Sequence, residues 1–266
     1  MLHIDQDLCI QCNACVDECS MHCLSLDGNE VKYDATKCIF CGHCMAVCPK
    51  EVLWIDGDGY DIEEVEEYQF IDKTMAYQVR NDIITRRSVR SFNDQEVSTV
   101  KLNKILEVAK YAPTAKNCQQ NALMVLNEPE EIDELVADIS EKLGELGESM
   151  KETNPKVAEM FLAKYKEFKE EGKDGIFYGA PLVIMVFSPS DVDGTLCAAT
   201  MAQMITVQDL GFCYIGLANA AMNSEELRAK YNIPADKHCV ISMAIGYYDA
   251  EYFCTVPRKE VPLIFK

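Results

Sequence analysis

In the last two thirds of the chain, apolar positions recur with the periods of packed helices and strands. Ser98 precedes Leu102, Ile105, Leu106 and Ala109, an i, i+3, i+4, i+7 stripe that predicts a helix capped by Ser98 and ended before Pro113. Residues 121–126 predict a strand, and Pro129 then opens a helix with Ile132, Leu135, Val136, Ile139 and Leu143 on one side. A charged helix is expected over residues 155–171. Residues 182–187 form a continuous apolar run short enough for a buried strand. Over residues 195–210 the apolar side chains run nearly all round, which predicts a buried helix stopped by Gly211. Residues 212–215 and 240–247 predict two further strands, separated by a short helix that Ser224 can cap and Pro234 closes off. Elements in this order give the α+β class.

The first fifty residues follow another rule. Cys9, Cys12, Cys15 and Cys19 have the spacing C-x2-C-x2-C-x3-C, and Cys38, Cys41, Cys44 and Cys48 repeat it 29 residues later, with Pro49 after the second copy. The surroundings repeat too: Cys9-Ile10-Gln11-Cys12 matches Cys38-Ile39-Phe40-Cys41, and each comb is followed by a short apolar segment, residues 24–26 and 52–55. An internal repeat of this kind implies two pseudo-symmetric halves. Three thiolates on one tight loop can cap three irons, and soft sulfur ligands suit iron–sulfur clusters. Zinc held by four cysteines is the alternative, but zinc modules usually pair two C-x2-C knuckles across a longer gap. Cys23 and His22, beside the first comb, read either as a spare thiol and a surface imidazole or as groups that tune or exchange with a ligand.

Composition narrows the classes further. The 266 residues suit about two domains, and 44 acidic against 25 basic residues give a net charge of -19. Such a field repels polyanions and excludes nucleic acid as a partner class. The longest apolar runs, residues 180–187 and 196–207, fall short of the ~18 residues of a membrane span. Residues 1–7 show no basic segment, apolar run or cleavage site of a secretory signal, so a cytoplasmic location is expected. Nine of the 14 cysteines lie within the first 48 residues, which favours metal binding over disulfides. Residues 56–67 hold two glycines and seven carboxylates. They read as a solvated linker, or as an acidic surface for a basic electron donor. The expected organisation is a domain over residues 1–57, a linker over 58–76 and a second domain over 77–266.

Three constellations in the second domain bear on chemistry. Arg86, Arg87 and Arg90 surround Ser88, a set of fork-shaped donors suited to a phosphate, or else a solvated basic patch. Pro113-Thr114-Ala115-Lys116-Asn117-Cys118-Gln119 is a polar loop whose amides can meet a heterocycle edge, or simply a loop. Gly211 and Gly216 bracket a strand, allowing close backbone approach to a ligand, or making two ordinary turns. Cys118, Cys197, Cys213, Cys239 and Cys254 read as buried small apolar residues, with Cys118 placed to approach a ring in that loop.

The two combs resemble those of bacterial two-cluster ferredoxins, in which the fourth cysteine of each run reaches across to the other cluster. The resemblance implies Cys9, Cys12, Cys15 and Cys48 on one 4Fe-4S cluster and Cys38, Cys41, Cys44 and Cys19 on the second. Ser20 stands where that family usually has proline. Residues 78–266 resemble the nitroreductase family of FMN-dependent oxidoreductases. Arg86-Arg87-Ser88-Val89-Arg90 matches the segment that grips the flavin phosphate and ribityl chain. The loop from Pro113 to Gln119 matches the family's Pro-Ser-x-x-Asn-x-Gln, with Thr114 for serine, and implies that Asn117 and Gln119 bind the flavin, Asn117 facing its ring. Gly211 to Gly216 matches the family strand whose last residues, here Ile215 and Gly216, offer backbone near the flavin N5 edge. Arg258, with Lys259, resembles a C-terminal phosphate contact, and residues 261–265 would cross to a second subunit. Gln120 and Asn121 replace a Pro-Trp pair found in many relatives.

The whole is similar to ferredoxin–nitroreductase fusions found mainly in anaerobes. It implies a small ferredoxin domain joined to an α+β domain with a central, mostly antiparallel sheet in an intertwined homodimer. The implied cofactors are FMN and two 4Fe-4S clusters, with no catalytic nucleophile or base. The implied partners are a low-potential donor, ferredoxin-type or NAD(P)H, and a flat electron-poor acceptor such as a nitroaromatic, quinone or flavin. No G-x-G-x-x-G follows a strand, so a Rossmann NAD(P)H site is not encoded, although a nicotinamide can stack on the flavin itself. The alternative is an electron-transfer protein that serves a protein partner and has no small-molecule substrate.

Overall fold

The 29-residue repeat of cysteines is also a repeat of backbone. The computed structural model describes residues 1–57, 59–60, 65–66 and 75–265, so most of the linker expected over residues 58–76 lies outside the described residues. The chain divides into two units, Met1–Asp72 with Ala115–Cys118, and Lys73–Thr114 with Gln119–Lys266.

In the first unit, β1 (Leu2–Ile4), β2 (Leu24–Asp27), β3 (Glu30–Tyr33) and β4 (Leu53–Ile55) form two antiparallel pairs, β1 with β4 and β2 with β3. Shifting β1 by 29 residues lands on β3, and shifting β2 lands on β4. The one-turn helices α1 (Ala14–Asp17) and α2 (His43–Ala46) obey the same shift. Left-handed backbone recurs at Gln11 and Phe40, at Asn13 and Gly42, and at His22 and Glu51. Such φ values are uncommon away from glycine, so their recurrence marks one loop design used twice, each loop bending three cysteines around a common centre. Gly28, with φ +62°, makes the two-residue turn between β2 and β3. Leu2, Cys15, Cys23, Leu24, Val31, Val52, Leu53 and Ile55 form the buried core.

The second unit is built on four antiparallel strands. In chain order these are β5 (Ala122–Leu126), β6 (Leu182–Ser188), β7 (Gly211–Ile215) and β8 (His238–Gly246), with spatial order β5-β6-β8-β7. β6 is buried throughout because both faces are covered. Val183, Met185 and Phe187 point to one core with α5 (Pro129–Met150), α6 (Pro155–Glu171), α8 (Gly216–Met222) and α9 (Glu225–Lys230). Leu182, Ile184 and Val186 point to the other, with α4 (Thr99–Ala109) and α7 (Asp191–Thr206). This is the two-residue period of a strand read out on both faces; each fully buried aliphatic side chain contributes about 1.5–3 kcal/mol.

Several ends differ from the pattern-based expectation. α7 starts at Asp191, four residues early, because Ser190 Oγ caps it by accepting from the Asp193 amide at 3.2 Å. α5 continues past Leu143 because Gly144 and Gly147 let α6 approach. A Cβ at either glycine would lie 2.8 Å from the Tyr165 ring or 2.7 Å from Leu162. α8 was absent from the apolar pattern, since its Gly216-Leu217-Ala218-Asn219-Ala220-Ala221-Met222 is rich in small residues. α3 (Ala76–Thr85), before the arginine segment, has no buried residue. Among the described residues, no helix is long and apolar enough to cross a membrane.

Candidate functional site

In the first unit, two pockets sort the eight comb cysteines into interleaved sets. Cys9, Cys12, Cys15 and Cys48 line one, together with Val31 and Val52. Cys19, Cys38, Cys41 and Cys44 line the other, together with Cys23 and Phe40. The fourth cysteine of each comb thus faces the three of the other. Cys12 and Cys41 are exposed, whereas Cys15 is buried. Among the described residues, no three His, Cys, Asp or Glu side chains converge as tightly as ligands of a single ion do; each set of four surrounds a space instead. Such a donor set, soft and spread around a pocket with apolar walls, fits an iron–sulfur cube.

Burial pushes the Cys15 thiol up, and burial pushes Cys44 up to about 11. At Cys19 burial acts the same way, but hydrogen bonds from the Cys23 backbone and thiol and the Met21 and Leu24 backbone outweigh it, leaving its value lowered. Iron would offset the repulsion within each set, and its binding releases the thiol protons. Cys23 is buried, and its Sγ lies 3.3 Å from Cys19 Sγ. His22 beside it is exposed.

The Ala115–Cys118 segment belongs to this unit. Asn117 donates its side-chain amide to the carbonyls of Ile39 at 3.2 Å and Phe40 at 3.0 Å, in the second comb. Lys116 and Asn117 both have left-handed backbone, which bends the loop sharply.

In the second unit, the arginine segment runs beside β7. Ser88 bridges Phe212 in parallel, and the Val89 amide donates to the Phe212 carbonyl at 3.1 Å. Gly211 makes this approach possible, since a Cβ there would lie 2.6 Å from both Val89 and Tyr248. Arg86 Cζ stands 5.2 Å from the centre of the Phe212 ring, a cation–π contact of roughly 0.5–2 kcal/mol. Its Nη1 is buried and has no hydrogen-bond partner. A buried guanidinium donor left open in this way is suited to an acceptor on an anionic ligand. Tyr214 meets Phe212 edge-on at 5.1 Å and donates its hydroxyl to the Ala198 carbonyl at 3.3 Å. Burial raises its phenol while the Arg86 charge lowers it, with burial winning.

Arg87 is occupied differently. Its guanidinium donates to the carbonyls of Ile84 and Arg86 at 3.0 and 2.8 Å and to that of Cys254 at 3.2 Å, tying the segment to the C-terminal stretch. Ser88 is exposed, as is Arg90, which reaches the Ser88 carbonyl at 3.5 Å. Ile215 is buried at the end of β7, and Gly216 is open, with nothing within 4 Å of the position of a Cβ. The Gln119 amide donates to Thr114 Oγ1 at 3.0 Å, closing the polar loop. Arg258 lies in the exposed stretch over residues 251–265. Cys197, Cys213 and Cys239 are buried as expected, whereas Cys118 and Cys254 are exposed because they sit in a loop and in that stretch.

Two groups escaped the sequence reading. Phe212 and Tyr214 share one face of β7, which the two-residue period of a strand could have revealed. Asn121, noted only as a departure, has a buried Oδ1 without a partner while its amide donates to the Asp193 carbonyl at 3.4 Å.

Comparison with known proteins adds the following. A model described as the nitroreductase family matches residues 83–247, and one described as a 4Fe-4S dicluster domain matches residues 8–52. No curated protein matches the chain. Among solved structures, it is similar to a nitroreductase with bound FMN from Bacteroides fragilis. That match has 20% identity and a TM-score of 0.57, covering 70% of this chain and 98% of that one. A nitroreductase with bound FMN from Desulfitobacterium hafniense is 24% identical, with a TM-score of 0.53, covering 68% of this chain and 94% of that one. A BluB-like flavoprotein from Clostridium difficile is 17% identical, with a TM-score of 0.55, covering 68% and 94%. At these identities the likeness to the solved structures is one of fold.

Proposed function

We propose, from the premise that this chain belongs to the nitroreductase family and carries a 4Fe-4S dicluster domain over residues 8–52, that it is a cytoplasmic FMN-dependent oxidoreductase. Two 4Fe-4S clusters supply it with electrons, and it reduces a flat, electron-poor acceptor such as a nitroaromatic, a quinone or a flavin. The observation that carries this reading is the sorting of the eight comb cysteines into two interleaved sets of four, in a chain whose other unit has the nitroreductase fold.

Cys9, Cys12, Cys15 and Cys48 hold one cluster, and Cys19, Cys38, Cys41 and Cys44 hold the other. FMN, the ligand of the Bacteroides and Desulfitobacterium structures, is assigned to the Arg86–Arg90 segment and β7. Bound in these places, the clusters supply single electrons and FMN pairs them for a two-electron reduction.

The remaining work is done by this chain's side chains. Arg86, fixed over Phe212 with its Nη1 open, would donate to the anionic part of the cofactor. Arg87 fixes the segment through three carbonyls, leaving Ser88 and Arg90 exposed for the phosphate and ribityl chain. Arg258 adds a further positive charge to the phosphate. Ile215 and Gly216 would offer backbone at the flavin ring edge, and nothing lies within 4 Å of the position of a Cβ at Gly216. From the polar loop, Asn117 and Gln119 are assigned to the flavin, Asn117 to its ring. No side chain serves as a nucleophile or as a metal-bound base.

The exposed apolar residues of α3 and of residues 251–265, among them Ile83, Phe253, Ile264 and Phe265, suit burial against a second copy in a homodimer. The donor is a low-potential carrier of the ferredoxin type or NAD(P)H. Anaerobic turnover tests the reading: the loaded protein, supplied with a one-electron reductant, should reduce nitrobenzoate or menadione at steady state. A loaded protein that reduces only a partner protein would make it a relay instead.

A further inference from the structure

The repeat brings Cys23 and Val52, 29 residues apart, to equivalent places in the backbone. The Cys23 carbonyl accepts from the Asp34 amide at 2.8 Å, and the Val52 carbonyl accepts from the Asp5 amide at the same 2.8 Å. The residues before them, His22 and Glu51, share a left-handed conformation with φ of 50° and 53°. Both side chains are buried, and each lines its own four-cysteine pocket. The surroundings are matched and the side chains are not: one pocket carries a thiol where the other carries an isopropyl group.

That thiol touches a comb sulfur. Cys23 Sγ lies 3.3 Å from Cys19 Sγ, and the Cys23 amide donates to the same sulfur at 3.4 Å. Once Cys19 ligates iron its sulfur is a thiolate and can only accept, so the S–H of the contact belongs to Cys23. The isopropyl side chain of Val52 has no donor to offer the sulfur of Cys48. Hydrogen bonds to ligand sulfurs help set the reduction potential of a cluster, and by stabilising the extra negative charge of the reduced form they raise it.

We propose that the Cys23 thiol, by donating to Cys19 Sγ, gives the site built from Cys19, Cys38, Cys41 and Cys44 the higher reduction potential of the two. The inference rests on the ligand sets proposed above. Cys23 is then a positioning residue that acts through Cys19, and a single electron supplied by an external reductant settles first at its site. The near-symmetric unit thereby acquires a direction.

Full-length protein, prepared without oxygen and titrated stepwise with dithionite under spectroscopic observation, tests the proposal. Wild type should show two resolved reductive steps. Cys23→Val, which installs the repeat's own residue, should shift the upper step down by about tenfold in the one-electron equilibrium, about 59 mV. Cys23→Ser, which keeps a donor, should retain part of the shift. Val52→Cys should raise the lower step. Iron and sulfide are counted in every sample. A wild-type chain without about eight irons, four per cube, refutes the ligand sets and this inference with them. A fully loaded Cys23→Val whose upper step stays in place refutes the inference alone. If Cys23→Val does not load, Val52→Cys decides, since it keeps every comb cysteine; an unmoved lower step overturns the proposal.

Discussion

Arg86 lies over the ring of Phe212, 5.2 Å from its centre, and one of its terminal nitrogens is buried without a hydrogen-bond partner. The ring holds the guanidinium in place before any ligand arrives, so little side-chain freedom remains to be lost on binding. Hydrogen bonds to charged groups contribute about 1.5–3 kcal/mol. Arg86→Ala should therefore weaken FMN binding roughly ten- to a hundredfold. Arg86→Lys should recover only part of it, because an ammonium lacks the planar fork. Fluorescence titration of flavin-stripped protein measures both.

Gly211 and Gly216 bracket one strand and should respond oppositely to a methyl group. At Gly211 a Cβ would press to 2.6 Å against Val89 and Tyr248, and overpacking of this kind costs about 1–3 kcal/mol. Gly211→Ala should lower the melting temperature. Gly216→Ala meets open space, so it should leave stability nearly unchanged while reducing flavin affinity if the ring edge lies there. Thermal unfolding and FMN titration of the two variants separate these effects.

Alkaline pH should destabilise the second unit through two buried thiols. Burial pushes Cys197 up to about 11, and burial, opposed by a hydrogen bond with Ser242, pushes Cys239 up to about 12, from an ordinary 9.0. Above pH 9.0 the unfolded chain releases these protons while the fold retains them, so the stability they contribute declines as pH rises toward the folded values. The urea midpoint should fall between pH 9 and 11, and less steeply in Cys197→Ala. An equal slope in both proteins would assign the loss to other groups.

Removal of residues 251–265 should convert a homodimer to monomers. Phe253, Ile264 and Phe265 are 88%, 87% and 86% exposed, more than a lone chain in water ordinarily leaves on three large side chains so close in sequence. Sedimentation of the full and shortened chains, each loaded with FMN, measures the change in mass.

The ferredoxin-like unit was legible because its information is local. Four cysteines within eleven residues define each loop, and a fixed offset of 29 defines the repeat. The helices of the second unit were legible where apolar stripes are regular, as along α4 and α5. Their ends were not, because Ser190 caps α7 through a hydrogen bond and Gly144 matters only once Tyr165 lies against it. Arg86 could be singled out by charge, but its ring partner Phe212 is 126 residues away and becomes a neighbour only through strand pairing. Cys23 is the sharpest case. The sequence leaves it either a spare thiol or a group that tunes or exchanges with a ligand, and the distance to Cys19 gives it a partner.

The central claim is that one chain holds two four-iron clusters and one flavin. The most direct measurement is the content of iron, acid-labile sulfide, zinc and extractable FMN per chain, after purification without oxygen. The account predicts about eight irons and eight sulfides, four of each per cube, with one FMN and no zinc. Zinc without sulfide, or full clusters with no flavin, would contradict it.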